Sequence, residues 1–404
     1  MDKVISEILK NYSTPFYVFD VETLRKRVDL IKDTLGKIKL VFAMKANPFL
    51  VKSMDSMVER LEVCSPGEYE ICIKNNIDPE KIVVSGVNKT YESMKKIFEY
   101  SKGKGIYTIE SRKHFEVLKK CADEGAFSID IIPRLSSKNQ FGMDEETLIK
   151  VLDDASKCNN INIVGIHYYS GTQKKMKKIE KEIKRLNEFG NTLKERYNLP
   201  KLSLEYGPGL CVGYFSNEEV ESAKDQLDNF AKVLKAADSF DEICIEMGRF
   251  LTSDCGYYAT SVMDKKINNG EGYLIIDGGI HQINYFGQLM GMKKPYIHVL
   301  GNDADANDVD ANDADSNDAD ANNTDANDAW TICGSLCTTN DVIVRGQELP
   351  SVKEGSTLVF EKCGAYSVTE GIAMFLSRDL PKIFIHDKDT ICVREKIETN
   401  QFNS

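Results

Sequence analysis

Short apolar runs alternate with longer amphipathic stretches along the first two thirds of the chain. The runs cover residues 38–42, 60–63, 81–85, 105–109, 128–135, 161–167, 202–206 and 242–246. Each has the length of a buried strand, and the stretches between them carry a helical period. Eight strand–helix units in succession predict an α/β fold, a closed parallel (β/α)8 barrel. The C-terminal ends of the strands then share one mouth, where reactive residues gather. At or just past those ends stand Lys45, Ser65, Gly86, Glu110, Arg134, His167, Gly207 and Glu246.

After Arg249 the texture changes. GYYATSVMDKKI, GYLIIDGGI, KPYIHVL, WTICG, DVIVRG, STLVFEKCGAY and KIFIHD read as short strands separated by glycines and charged turns. FYVFD, near the start, reads the same way. The pattern predicts a barrel over residues 31–252 set into a mostly antiparallel β domain, sandwich or barrel-like. That domain is built from residues 1–30 and 253–404 and takes the N-terminal strand.

Residues 302–329 interrupt that domain with a five-residue Asp/Asn repeat. The segment holds ten aspartates and no cation, so the chain's net charge of −11 leaves only −1 for the remainder (−11 + 10). Such a tract buries no apolar surface and is expected to be a disordered insertion. It lacks the glycine and terminal glutamate of an EF-hand loop, and no metal site is expected.

Composition narrows the picture further. A chain of 404 residues with 42% hydrophobic content supports a large core and two domains. No apolar run is long enough for a membrane span, and no basic concentration suggests nucleic acid. The N-terminus is too acidic and too poor in apolar residues for a signal peptide. Eleven scattered cysteines fit free thiols in a reducing cytosol, so a cytoplasmic location is expected.

The chemistry starts at VFAMKANP, which sets Lys45 just past a buried strand. A lysine there is compatible with a plain surface residue. It is also compatible with a Schiff-base lysine, which needs a partly desolvated site and an anchored carbonyl cofactor. LEYGPGL offers Gly207 and Gly209 in a turn able to present backbone N–H groups to a phosphate, although most such turns are only turns. Glu246, within IEMGR, is open to two readings, a rim ion pair or a functional acid.

Together these motifs resemble the pyridoxal-phosphate-dependent decarboxylases of the alanine-racemase fold, the diaminopimelate, ornithine and arginine decarboxylases. FAMKANP resembles the cofactor-lysine motif, GIHYYSGTQ the H-x-H-x-G-S-Q motif and LEYGPGL the G-G-G-L loop. IEMGR resembles E-P-G-R, CTTND resembles C-x-x-x-D and CGAY resembles G-A-Y. Six motifs in the family's order are a specific signal, and they cover nearly the whole chain except the repeat.

The resemblance implies pyridoxal 5'-phosphate held on Lys45, with Glu246 paired to the pyridine nitrogen. A carboxylate there keeps that nitrogen protonated and the ring a strong electron sink, which argues for a decarboxylase over a racemase. It implies Gly207, Gly209, Arg249 and Tyr366 for the phosphate, with Thr172 as a hydroxyl donor. Glu62 and Arg134 would lie near the ring, although a structural salt bridge explains Arg134 equally well. Cys337 and Asp341 would enter from the second subunit of a homodimer. The cysteine would protonate Cα and the aspartate recognise substrate; a buried apolar role for Cys337 is the alternative, and Cys333 is read as core.

Two departures from the pattern are informative. The ring-stacking histidine is Tyr169, which keeps an aromatic face and loses the imidazole, while His167 is read as structural. At the substrate's far end, Tyr285, Leu289 and Thr338 replace the charged readers of diaminopimelate. A zwitterionic end taken out of water needs paired charges, and only Lys293 or Lys294 could stand in. The expected substrate is therefore a conjugated amino acid, or one tethered to an acyl or peptidyl carrier protein as partner. Free meso-diaminopimelate, giving L-lysine, is the alternative. A non-catalytic cofactor-binding relative is the alternative of another class.

Overall fold

The computed structural model describes residues 1–301, 329–349 and 351–404. They form two compact units. One comprises Thr23–Val212 and Val220–Thr252; the other comprises Met1–Glu22, Gly213–Glu219 and Ser253–Ser404. The Asp/Asn repeat expected to be disordered over 302–329 lies outside the described residues, except Ala329, which opens a strand.

Strand β1 (Phe16–Asp20) belongs to the second unit. The first unit holds β2 (Lys39–Ala43), β3 (Arg60–Val63), β4 (Ile82–Val84), β5 (Ile106–Ile109), β6 (Ile129–Pro133), β7 (Ile161–Ile163), β8 (Gly165–Tyr169), β9 (Ser203–Gly207) and β10 (Glu242–Met247). They pair in parallel in the order β7-β6-β5-β4-β3-β2-β10-β9-β8. The two ends of this sheet are one stretch of chain, because only Val164 separates β7 from β8. Val164 N donates to Ile131 O at 3.1 Å, and Arg134 bridges His167. The run expected over 161–167 is thus shared between its two neighbours, which brings the edges together as the predicted barrel. Val41, Val83, Ile106, Ile132 and Cys244 form a buried cluster among its strands.

Barrel helices start where side chains cap them. Ser65 accepts from Glu68 N at 3.1 Å, Ser111 from His114 N at 3.2 Å and Asp144 from Thr147 N at 2.8 Å. Each cap contributes about 1 kcal/mol. The helix Met176–Tyr197 departs from this rule. It has no side-chain cap and no acid in its first turn, and Lys175, Lys177 and Lys178 stand at its start. Cations there oppose the helix dipole, so this helix needs another anchor.

The second unit adds β11 (Gly256–Asn268), β12 (Glu271–Ile276), β13 (Ile297–Val299), β14 (Ala329–Cys333), β15 (Val342–Glu348), β16 (Thr357–Phe360), β17 (Lys382–Asp387) and β18 (Asp389–Arg394). The order is β15-β14-β12-β11-β1-β17-β18, with β16 pairing β11 and β13. The N-terminal strand does join this unit. Its sheet is mixed: β1 runs antiparallel to β11 and parallel to β17, and β12 is parallel to β14. Long connections separate these parallel partners, so no hairpin dictates their direction. Ile5 and Ile8 of the helix Asp2–Leu9 pack with Phe16, Val18, Ala259, Val359 and Phe384 to form a core cluster. Among the described residues no helix is long and apolar enough to cross a membrane.

His298, on β13, ties two distant segments of this unit. Its Nε2 lies 3.1 Å from Asp2 Oδ1 and its Nδ1 3.2 Å from Glu361 Oε1. The Glu361 hydrogen bond, with help from Asp2, raises the imidazole above its ordinary pKa. A raised pKa means the contribution is complete below the unfolded value and disappears as pH rises through the folded one. His298→Gln is therefore expected to lower the thermal midpoint at about pH 5, with the deficit vanishing by about pH 9 in a scan of thermal unfolding against pH.

Candidate active site

The site is built at the C-terminal ends of the barrel strands. β2 ends at Ala43 and turns through Met44–Ala46, which places Lys45 at the mouth with about a third of its side chain exposed. Asn47 holds the next turn by accepting from Phe49 N at 3.1 Å. The two neighbours of β2 are β3 and β10, in a register that pairs Ala43 with Glu62 and Val41 with Glu246. Lys45 Nζ accordingly lies 2.8 Å from Glu62 Oε2 and 3.6 Å from Glu246 Oε1. Both carboxylates are buried. Cys64 Sγ stands 3.4 Å from the same nitrogen and donates to Glu62 Oε1 at 3.1 Å. Burial and the Glu62 charge push this thiol far up, so it remains protonated.

Deeper in, Glu246 Oε2 lies 2.9 Å from His167 Nε2 on β8. Burial pushes the Glu246 carboxyl up, but the Lys45 charge and the His167 hydrogen bond outweigh it and hold it at about 2. Glu205, on β9 between these strands, completes a buried trio whose ligand atoms lie within 4.8 Å of one another. Burial first, then the Glu246 charge, raises Glu205 well above the carboxylate range. Two carboxylates this close in a dry site do not both ionise, so Glu205 holds a proton. Its Oε1 has no partner among the described residues. The base of the mouth therefore presents one negative charge, on Glu246.

The glycine turn follows β9. A Cβ on Gly207 would lie 2.5 Å from the Tyr169 ring, so the ring packs directly on that backbone. Gly209 has φ +60°, and a Cβ there would meet Gly171 O at 2.2 Å. Only glycine suits such a position. The turns after β8 and β9 are thus in contact, and both lack side chains where they meet. Gln173 sews them together, accepting from Val212 N at 2.7 Å and donating to Val212 O at 2.9 Å. Thr172 is half-buried in the first turn. Arg249 is half-buried just past β10, and its charge acts on Tyr169.

The barrel thus brings together Lys45, Glu62, His167, Tyr169, Thr172, Gly207, Gly209, Glu246 and Arg249. Arg134 pairs with Glu110 at 3.1 Å and lies over the Phe141 ring, so the salt bridge left open by the sequence is present. His167, read as structural, contacts Glu246. Glu205, Cys64 and the hydrogen bond to His167 escape a sequence reading; an acid inside the apolar run LSLEYG was the one available signal.

The remaining candidates belong to the β unit. Cys337 is exposed and Thr338 half-buried. Asp341 is buried, and its carboxylate accepts from Ile280 N at 2.9 Å and Leu336 N at 2.7 Å. It clamps the loop that carries Cys337. Tyr366 is half-buried with φ +66°. Tyr285 is buried and donates to Glu361 O at 2.6 Å, so its only O–H is spent inside the unit rather than offered to substrate. Lys293 pairs with Glu218 at 2.7 Å.

A buried charged acid, a mouth lysine and a side-chain-free double turn fit a phosphorylated cationic heterocycle with a carbonyl group. Residues 21–253 match the family model for the pyridoxal-dependent decarboxylase, pyridoxal binding domain. The L-glutamyl-BtrI acyl-carrier protein decarboxylase of Niallia circulans is 26% identical, over 93% of this chain and 90% of that protein. The diaminopimelate decarboxylase of Aquifex aeolicus is 24% identical, over 90% of this chain and 84% of its own. The crystal structure of diaminopimelate decarboxylase from Helicobacter pylori, complexed with L-lysine, has the same fold. Its TM-score is 0.81 at 19% identity, covering 98% of each chain.

Because Glu246 is depressed, its contribution to stability is present above its unfolded pKa and is lost as pH falls towards about 2. Glu246→Gln is expected to lower unfolding stability of the cofactor-free protein by a few kcal/mol at neutral pH. That gap should close below about pH 4 in urea titrations across pH.

Proposed function

The chain belongs to the pyridoxal-dependent decarboxylase family, and on that footing we propose that it acts on an L-amino acid whose far end is conjugated or tethered to a carrier protein. The chain is a pyridoxal-phosphate-dependent carboxy-lyase. The observation carrying its chemistry is Lys45 held between Glu62 and Glu246, with His167 behind. When bound, the cofactor supplies a sink for the electron pair left at Cα as CO2 departs.

Each residue then has a physical task. Lys45 anchors the cofactor carbonyl, and Glu62 is within reach to take and return the ammonium proton. Glu246, kept ionised by Lys45 and His167, would pair with the cofactor's ring nitrogen and hold its proton. Neutral Glu205 prevents a second negative charge from building up beside it. Gly207 and Gly209, with Thr172 and Arg249, would hold the phosphate, and Tyr169 would offer an aromatic face to the ring. The chain works as a homodimer in which Cys337 serves the partner's site and delivers a proton to Cα. Asp341 acts by fixing the loop that carries Cys337 and Thr338.

Substrate choice rests on the far end. Leu289 and Thr338 carry no charge, Tyr285 spends its hydroxyl on Glu361 O, and Lys293 is paired with Glu218. These positions suit a neutral linkage better than a free zwitterion, whose two charges would need partners when dehydrated. The glutamyl carrier-protein decarboxylase supports this reading. The diaminopimelate decarboxylase supports the second reading, release of CO2 from free meso-diaminopimelate.

Borohydride treatment of the holoenzyme is expected to leave a phosphopyridoxyl mass on the Lys45 peptide, and none on Lys45→Ala. CO2 release should be faster from carrier-linked aminoacyl substrates than from free diaminopimelate; the opposite preference establishes the second reading. Cofactor trapping without CO2 from any substrate would favour a non-catalytic relative. Cys337→Ala should bind cofactor normally but slow turnover by on the order of a hundredfold and yield misprotonated, transaminated product. Full activity of that variant sinks its role as the acid.

A further inference from the structure

Beneath the two glycine turns lies a buried ionic cluster that none of the steps above uses. Lys174 is almost wholly buried, and its Nζ donates to Glu182 Oε2 at 2.8 Å, Gly207 O at 3.0 Å and Ser170 Oγ at 3.2 Å. It also lies 3.4 Å from the Tyr206 hydroxyl, with the Tyr206 ring centroid 4.9 Å away. Glu182 is fully engaged: Tyr206 donates to Oε2 at 2.7 Å and Ser170 to Oε1 at 2.5 Å. The Lys174 backbone adds a donation to Gly209 O at 2.8 Å.

Three elements converge on this one residue: the turn after β8, the end of β9 with its following turn, and the uncapped helix Met176–Tyr197. A buried ion pair is a weak source of stability, since its desolvation cost rivals its attraction. Its geometric consequence is larger. The carbonyls of both turn glycines, Gly207 and Gly209, point to Lys174. A carbonyl oxygen facing a phosphate would repel it. In a trans peptide the N–H lies opposite the C=O, so the Gly209 contact sends the Leu210 N–H away from Lys174. Pro208 has no N–H, which makes the orientation of this second peptide matter more.

We propose that Lys174 is a positioning residue for the cofactor phosphate: its ammonium keeps the Gly207 carbonyl turned inward and its backbone N–H does the same for Gly209, so that neither carbonyl faces the anion. This rests on the reading of that turn as the phosphate holder. Burial lowers the Lys174 pKa, but the Glu182 contact opposes the shift.

The test compares pyridoxal phosphate with pyridoxal, which lacks the phosphate, in absorbance titrations of the full chain stripped of cofactor. Lys174→Met should cut the affinity ratio between the two by about tenfold or more, mainly through weaker phosphate binding. The double variant Lys174→Met with Glu182→Gln removes the orphaned acid and should show the same loss if the single variant fails to fold. Glu182→Gln alone keeps the ammonium on the Gly207 carbonyl and should keep the ratio within about twofold. A purely structural role would weaken both ligands equally. An unchanged ratio in folded Lys174→Met or the double variant overturns the proposal. A native protein that binds pyridoxal as tightly as the phosphate ester overturns the phosphate reading itself, and the role of Lys174 with it.

Discussion

The ion pair of Lys45 with two buried carboxylates is the constraint on which the barrel mouth depends. Glu62 and Glu246 come from the two strands that flank β2. Neither acid tolerates burial as an anion alone, and a lysine brought to the same point offsets that cost. The arrangement requires the sheet to close, because β10 reaches β2 only when the last strand meets the first. Fold and site are therefore one problem: a register error of one residue would turn Glu246 to the other face of its strand.

Charge is also rationed. Three acids and one imidazole gather near Lys45; Glu62 and Glu246 share its charge, while Glu205 is driven to its neutral form. The same chain uses a buried lysine differently. Lys174 is almost wholly buried and its ammonium contacts the Gly207 carbonyl, so its effect is on the shape of a turn. Lysine's compact charge on a flexible stem suits both tasks.

In the β unit, an acid again acts through backbone. Both oxygens of Asp341 are taken by Ile280 and Leu336 amides, which defines the loop from Leu336 to Asp341 and leaves Cys337 exposed on it. A motif residue read as touching substrate thus has a prior task in holding its neighbours. Tyr285 makes the same point, as a polar residue whose hydroxyl is satisfied internally.

The alternation of apolar runs and helical stretches was sufficient for the barrel, since eight short buried strands with intervening helices have few other ways to close. The places of Lys45, Gly207 and Glu246 were legible because each falls at or just past the end of an apolar run that becomes a strand. Mixed pairing in the β unit was not legible, because strand direction between distant segments leaves no local trace. Nor were Glu205, His167 as the partner of Glu246, or Lys174 legible in their roles. Their roles come from which strands become neighbours and from how far each side chain is removed from water. Those two quantities exist only once the sheet has closed, so the linear order of residues fixes the reactive groups while the folded barrel decides their charge and their partners.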